Sequence, residues 1–180
     1  FEASSHALDQ NRLKNFPVDI AAITNISQDH FDYHKNIIKY REAKFKLFTK
    51  HLSNTGIAVI NEKIKSINSL KKILKNKILT YGKRNSDIFL YLKKKNLEIK
   101  IYNKNYSIIA KDYSFIELEN ISCAATCCLA LGIKVSNILK AVKQLNNPPG
   151  RLQTINTKDN IKIIIDYAHT PDALKNLLIS

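Results

Sequence analysis

At 180 residues, 44% of them apolar, the chain carries enough apolar material for one sizeable core and part of another, which excludes a disordered polymer. It holds no apolar run on the order of 18 residues, which excludes a spanning helix, and its opening residues lack the basic-then-apolar pattern of a secretory signal. The formal charge of +14 points toward polyanions. Yet the lysines are spread over nearly every segment beside abundant Asn and Ile, which share A/T-rich codons. No aromatic-and-basic RNA-binding motif accompanies them, so no nucleic-acid partner and no membrane partner is expected.

The chain opens with "FEASSHALDQNR", in which a strand ending at Phe1 would put Glu2 at the edge of a sheet. "VDIAAITNI" (18–26) is nearly continuous in apolar character, as a strand buried on both faces is. After the polar "SQDHFDYH", the stretch "NIIKYREAKFKLFTKHL" spaces its apolar residues for one helix. "GIAVIN" (56–61) predicts a second buried strand, "INSLKKILKN" an amphipathic helix and "KILTYG" a third strand. This alternation argues for an α/β layered sheet with right-handed crossovers.

Residues 87–118 alternate short β-prone runs with Lys/Asn turns and predict a small antiparallel meander. Two helices follow, at about 119–131 and 134–145, with Gly132 as a stop and Ser136 as a cap. Cys123, Cys127 and Cys128 lie together on the first of them, with no cysteine elsewhere. They are expected to be small core residues in a reducing compartment rather than zinc ligands. "NNPPGR" then breaks the pattern and is the best domain boundary, dividing 1–149 from 150–180. Beyond it lie a strand pair, a loop and a helix starting near Pro171, the beginning of a second α/β, Rossmann-like domain. Both ends read as internal to a larger protein.

In open α/β sheets ligands gather beyond the carboxyl ends of strands, and four clusters fall there. Glu2 is a carboxylate able to hold Mg²⁺ directly or through water. Ser4, Gln10 and Arg12 offer hydroxyl, amide and guanidinium groups suited to phosphate and amide oxygens, although a polar loop with a helix cap accounts for the same residues. His30 follows a strand, and Lys44 shares a helix face with Tyr40 one turn earlier. Buried beside a metal, such a lysine must shed its charge, and forming a carbamate with CO₂ is one way. A solvated helix lysine is the simpler alternative. Asn120 and Arg151 flank the boundary, and "DYAHTPDAL" brings Asp166 and His169 to the end of a strand.

In this order, "EASSHALDQNR", "TNISQDHFDYH" with "YREAK" behind it, "PPGR" and "DYAHTPDAL" resemble the Mur ligases, nearest to their MurE type. The resemblance runs over the whole chain, loosely through 62–118. It implies an ATP-dependent acid–amino-acid ligase of cell-wall (peptidoglycan) precursor synthesis. Such an enzyme joins meso-diaminopimelate or L-lysine to UDP-MurNAc-L-Ala-D-Glu through an acyl phosphate, in the cytoplasm and as a monomer. By the same resemblance Glu2 and His30 bind Mg²⁺, and Lys44, carbamylated, binds a second one. Ser4, Gln10 and Arg12 would contact the UDP-linked dipeptide. Asn120, Arg151 and Asp166 would contact ATP, with His169 close by.

Two departures stand out. The family's phosphate-binding loop, G-x-x-x-x-G-K-[ST], occurs nowhere in the chain. After "AVIN", where the family has two acids, this chain has Glu62–Lys63. These 180 residues alone are therefore expected not to complete the reaction. The alternatives are a non-catalytic remnant, a module that binds the nucleotide-sugar peptide, or a folylpolyglutamate-type ligase.

Overall fold

The computed structural model describes residues 1–179 apart from 28–30, 110–112, 147 and 160, and apart from the side chains of Phe31 and Asp172. His30 lies outside the described residues.

Six strands form one sheet in the order β1 to β6. β1 (Val18–Ile23), β2 (Leu52–Asn61) and β3 (Lys77–Tyr81) run parallel, with Ala21 opposite Ala58 and Ala58 opposite Ile78. Ala58, Val59 and Ile60 are successive and all 0% exposed. Neighbours in a strand point to opposite faces, so both faces of β2 must be covered. On one side Ala58 and Ile60 pack with Phe45, Phe48, Ile67 and Leu70, from α3 (Ile37–Lys46), the turn after it and α4 (Ile67–Ile73). On the other, Val59 and Tyr81 pack with Ile121, Cys123, Ile138 and Val142, from α5 (Phe115–Ala130) and α6 (Val135–Gln144). The result is the expected α/β sandwich with the sheet in the middle.

β4 (Ile88–Lys93) continues the sheet beside β3, and β5 (Asn96–Ile101) and β6 (Lys104–Ile109) complete an antiparallel meander. Its inner face buries Ile88, Leu90, Leu97, Ile99, Ile101 and Ile108. Short helices α1 (Ser5–Asp9) and α2 (Phe31–His34) lie against the α3 side of the molecule. After α6, β7 (Gln153–Asn156) and β8 (Lys162–Ile165) pair with each other as a separate two-stranded sheet, followed by α7 (Pro171–Ile179). No helix of the described residues is long and apolar enough to cross a membrane.

Several expected boundaries move. Residues 1–4 are in no strand, and the exposed Phe1 ring instead meets Phe16 edge-on at 5.7 Å. β1 stops at Ile23 rather than Ile26. The long helix turns π-helical over Leu47–His51 after Lys46. Phe115–Leu118, expected in the meander, is the first turn of α5. Ser114 Oγ accepts the Glu117 N–H and Glu117 Oε2 accepts the Ser114 N–H, a capping box that starts the helix there. Ser136 caps nothing, because α6 starts one residue earlier with Lys134 at its N-cap and no side-chain cap bond. Gly132 ends α5 at φ +76°, as expected.

Candidate functional site

The parallel strands end together, and their ends are tied. Tyr81 donates its hydroxyl to the Ile23 carbonyl at 3.1 Å, and Asn61 Nδ2 donates to the Thr24 carbonyl at 2.8 Å. Burial pushes the Tyr81 hydroxyl well above its ordinary range, so it stays a donor. Asn61 can reach across because Gly82 lies against it. A Cβ there would stand 2.5 Å from Asn61 Oδ1, and the backbone φ of +99° suits glycine alone.

Beyond these ends opens a cleft of about 870 Å³. The segment after β1 forms its floor, and α3, the start of α5, Leu145, Asn146, Pro148, Arg151 and Leu152 line it together with residues between Asp166 and Asn176. Six of the expected site residues line it: Glu2, Lys44, Asn120, Arg151, Asp166 and His169. They come from five separate stretches of sequence and meet only through the fold.

Lys44 is half-buried, with Nζ 4.9 Å from the centre of the Tyr40 ring and 3.5 Å from the Asn25 carbonyl oxygen. It is thus neither the fully buried lysine nor the freely solvated one that the sequence allowed. Asp166 accepts the N–H groups of Leu152 and Ala168 at 2.9 and 2.8 Å, which fixes the Arg151 turn to the β8 end. The Arg151 guanidinium lies over the Tyr167 ring at 5.1 Å. His169 Nδ1 donates to the Tyr167 carbonyl at 2.9 Å, so a neutral ring keeps Nε2 as its acceptor.

Ser4, Gln10 and Arg12 are not among the cleft's lining residues. Ser4 Oγ accepts the Ala7 N–H at 3.1 Å as the N-cap of α1, and Gln10 is that helix's exposed C-cap. Arg12 is exposed in the turn that follows. The helix-cap account holds for Ser4.

Other contacts had no signal in the sequence. Asp9 accepts from Lys46 at 2.5 Å and from the Tyr33 hydroxyl at 3.1 Å, and the Lys46 bond draws its carboxyl below the ordinary range. Lys63 pairs with Glu119 at 2.8 Å and sits 3.9 Å above the Phe115 ring. This gives the lysine that replaces the family's second acid a partner on α5. An adjoining cleft of about 1080 Å³, lined in part by Arg41, Lys63, Lys65 and Lys175, shares Asn25, Glu119 and His169 with the first. Long-range pairs such as these leave no trace in local spacing.

The described residues hold no group of three or more His, Cys, Asp or Glu placed to bind a metal. The Glu2 carboxylate on the cleft wall fits Mg²⁺, which keeps several waters and is held by one or two carboxylates together with substrate phosphates.

A model of the Mur ligase middle domain matches residues 1–145. The UDP-N-acetylmuramoyl-L-alanyl-D-glutamate--2,6-diaminopimelate ligase of Rickettsia montanensis is 37% identical over 188 aligned residues, covering 99% of this chain and 38% of that protein. Its namesake from Aquifex aeolicus is 37% identical over 181, covering 98% and 37%. A solved structure of a ligase of the same name superposes with a TM-score of 0.76 at 30% identity, over 99% of this chain and 38% of that one. MurF ligase from Thermotoga maritima, in complex with ADP, shares the fold at a TM-score of 0.75 and 20% identity, over 97% of this chain and 41% of that one. The chain thus spans less than two-fifths of the length of the curated relatives it matches. With the middle-domain pattern running through most of its length and full-chain relatives at this identity, the chain belongs to the Mur ligase family.

Proposed function

We propose that this chain is the central part of a MurE-type ligase, which joins 2,6-diaminopimelate to the D-Glu carboxylate of UDP-MurNAc-L-Ala-D-Glu at the expense of ATP. One observation carries the reading: Glu2, Lys44, Asn120, Arg151, Asp166 and His169 line a single cleft at the strand ends. The names of the relatives favour diaminopimelate over L-lysine as the incoming amino acid.

In this reaction a carboxylate oxygen attacks the γ-phosphorus of ATP and ADP leaves. The amine nitrogen then attacks the acyl-phosphate carbon, phosphate departs, and the amine's proton is lost. Both steps gather negative charge, so positioning and fixed positive groups supply most of the catalysis. Mg²⁺ would neutralise the phosphate oxygens, held by Glu2, by His30 and by Lys44 as a carbamate, formed when the neutral amine adds CO₂ and loses a proton. The position of Lys44 Nζ on the cleft wall, beside Tyr40 and the Asn25 carbonyl, supports this reading. Asn120, at the cleft end of α5, suits the adenine edge, and Arg151 suits the phosphates or ribose. Asp166 acts mainly by holding the Arg151 turn in place. Ser4, Gln10 and Arg12 belong to the dipeptide side in this reading, Ser4 through the helix it caps. The three free cysteines suit a reducing cytoplasm. A monomer with no nucleic-acid or membrane partner completes the reading.

The test is Lys44→Ala in the native polypeptide that carries this chain. Ligation should fall by at least about 100-fold, as when a key electrostatic contact is lost. Normal turnover would overturn the reading. Saturable binding of the UDP-linked dipeptide by the unmutated protein without any turnover would instead make the chain a binding module.

A further inference from the structure

Glu2 and Lys44 both line the cleft but belong to different elements: Glu2 precedes α1 and Lys44 is in α3. Something must hold those elements at a fixed separation if the two are to share one cation. The structure offers a direct line between them. Ser5, three residues after Glu2, is only 2% exposed, and its Oγ lies 2.9 Å from Nε2 of His34, which is 4% exposed. The His34 ring packs against the Tyr40 ring, centroids 5.5 Å apart, and the same Tyr40 ring lies under Lys44 Nζ. His34 is the only residue in this line that belongs to α2, and it touches both neighbours.

We propose that His34 is a positioning residue for the ligase reaction. Through Ser5 on one side and Tyr40 on the other, it sets the distance between Glu2 and Lys44 and so shapes the Mg²⁺ site. The inference rests on the function proposed above. It adds a role for two residues, His34 and Ser5, to which no role was given.

A second tie joins the same elements, because Asp9 of α1 accepts from Lys46 of α3 and from Tyr33 of α2. It differs in kind. The Asp9 side chain is 37% exposed and that of Lys46 is 26% exposed. Ion pairs that water can reach hold geometry weakly, since water competes for both partners. A buried hydroxyl–imidazole bond has no such competitor. The Ser5–His34 bond should therefore govern the site, and the Asp9 pair should contribute only to stability.

The experiment uses the native polypeptide with Mn²⁺ as the probe, its binding followed by electron paramagnetic resonance, alongside ligation rates. Ser5→Ala removes the bond with the least change in volume, and His34→Ala removes the hub. His34→Gln keeps an amide able to reach Ser5, and Asp9→Asn cuts the second tie. Ser5→Ala and His34→Ala should each weaken Mn²⁺ binding by about 10- to 100-fold, the usual effect of losing a group that orients a metal ligand. The double variant should be no worse than the worse single one, because both cut the same link. His34→Gln should recover most of the loss, and Asp9→Asn should bind Mn²⁺ as the parent does.

If Ser5→Ala melts at a lower temperature but keeps parental Mn²⁺ affinity and rate while folded, the bond is structural only and the proposal is overturned. An equal loss from Asp9→Asn would overturn it as well. Should His34→Ala fail to fold, Ser5→Ala and His34→Gln still decide the matter. Failure of the unmutated protein to bind Mn²⁺ or to ligate would sink the proposed function instead, a result separable from any of these.

Discussion

Glu62 stands beside the lysine that departs from the family pattern, and its own neighbours fix it in place. Burial raises its carboxyl, but hydrogen bonds from Lys71 at 2.5 Å and Ser86 at 3.0 Å outweigh that and leave it below its ordinary 4.5. A carboxyl held low in the folded state adds stability above its unfolded value, and that stability is lost as pH falls through the folded value. Glu62→Gln should therefore lower the thermal midpoint at pH 7 and do so much less near pH 3. Equal losses at both pH values would refute this account. At this scale the sequence was only partly legible. Glu2, Lys44, Asn120, Arg151, Asp166 and His169 could be picked out because they sit in polar clusters at loops or near element ends that resemble Mur ligase motifs. The partners that decide their state could not, because Asn25 for Lys44 and Leu152 for Asp166 are backbone groups whose position only the fold sets.

At the scale of elements, α5 and α6 form a natural comparison. Ser136 was expected to cap α6 and does not, whereas Ser114, for which no cap was expected, caps α5. Ser114→Ala should cost about 1 kcal/mol, whereas Ser136→Ala, exposed inside α6, should stay within about 0.5 kcal/mol. Urea unfolding of both variants measures the difference, and equal costs would contradict the observed helix starts. The strand–helix alternation was legible because buried parallel strands read as unbroken apolar runs. The start of α5 was not, since "SFIEL" suits a strand by composition and only the reciprocal Ser114–Glu117 bonds make it helical. Gly82→Ala should also destabilise, by about 1–3 kcal/mol, through backbone strain at positive φ. It should loosen the cleft floor too, because the added Cβ would push on Asn61, whose amide holds the end of β1.

For the molecule as a whole, both core clusters draw their buried residues from positions up to Val142, and the β7–β8 hairpin pairs only with itself among the described strands. We propose the boundary at 149/150 on these grounds, in keeping with the turn chemistry of "NNPPGR". A chain ending at Asn146 should keep its helical and strand content and nearly its full urea midpoint. It should also lose nucleotide binding with Arg151, Asp166 and His169, as isothermal titration with Mg·ADP would show. Extensive unfolding of the shortened chain would place residues 150–179 inside the same folding unit. The net charge of +14 was the least informative feature of the sequence, since the lysines that line the two clefts are a small part of the total.

The two halves of the central sheet also differ in how far the chain must travel to pair them. β4, β5 and β6 are joined by two-residue turns at 94–95 and 102–103, with Lys94 and Tyr102 already at positive φ. β1 reaches β2 only after the whole stretch that carries α2 and α3 has folded back. Hairpins close within microseconds, while pairings between distant segments wait on the entropy of closing long loops. Pulse-labelled hydrogen exchange during refolding should therefore protect the amides of β4–β6 before those of β1 and β2. The meander, which carries none of the candidate site, would serve as the template on which the reactive side of the molecule is assembled last.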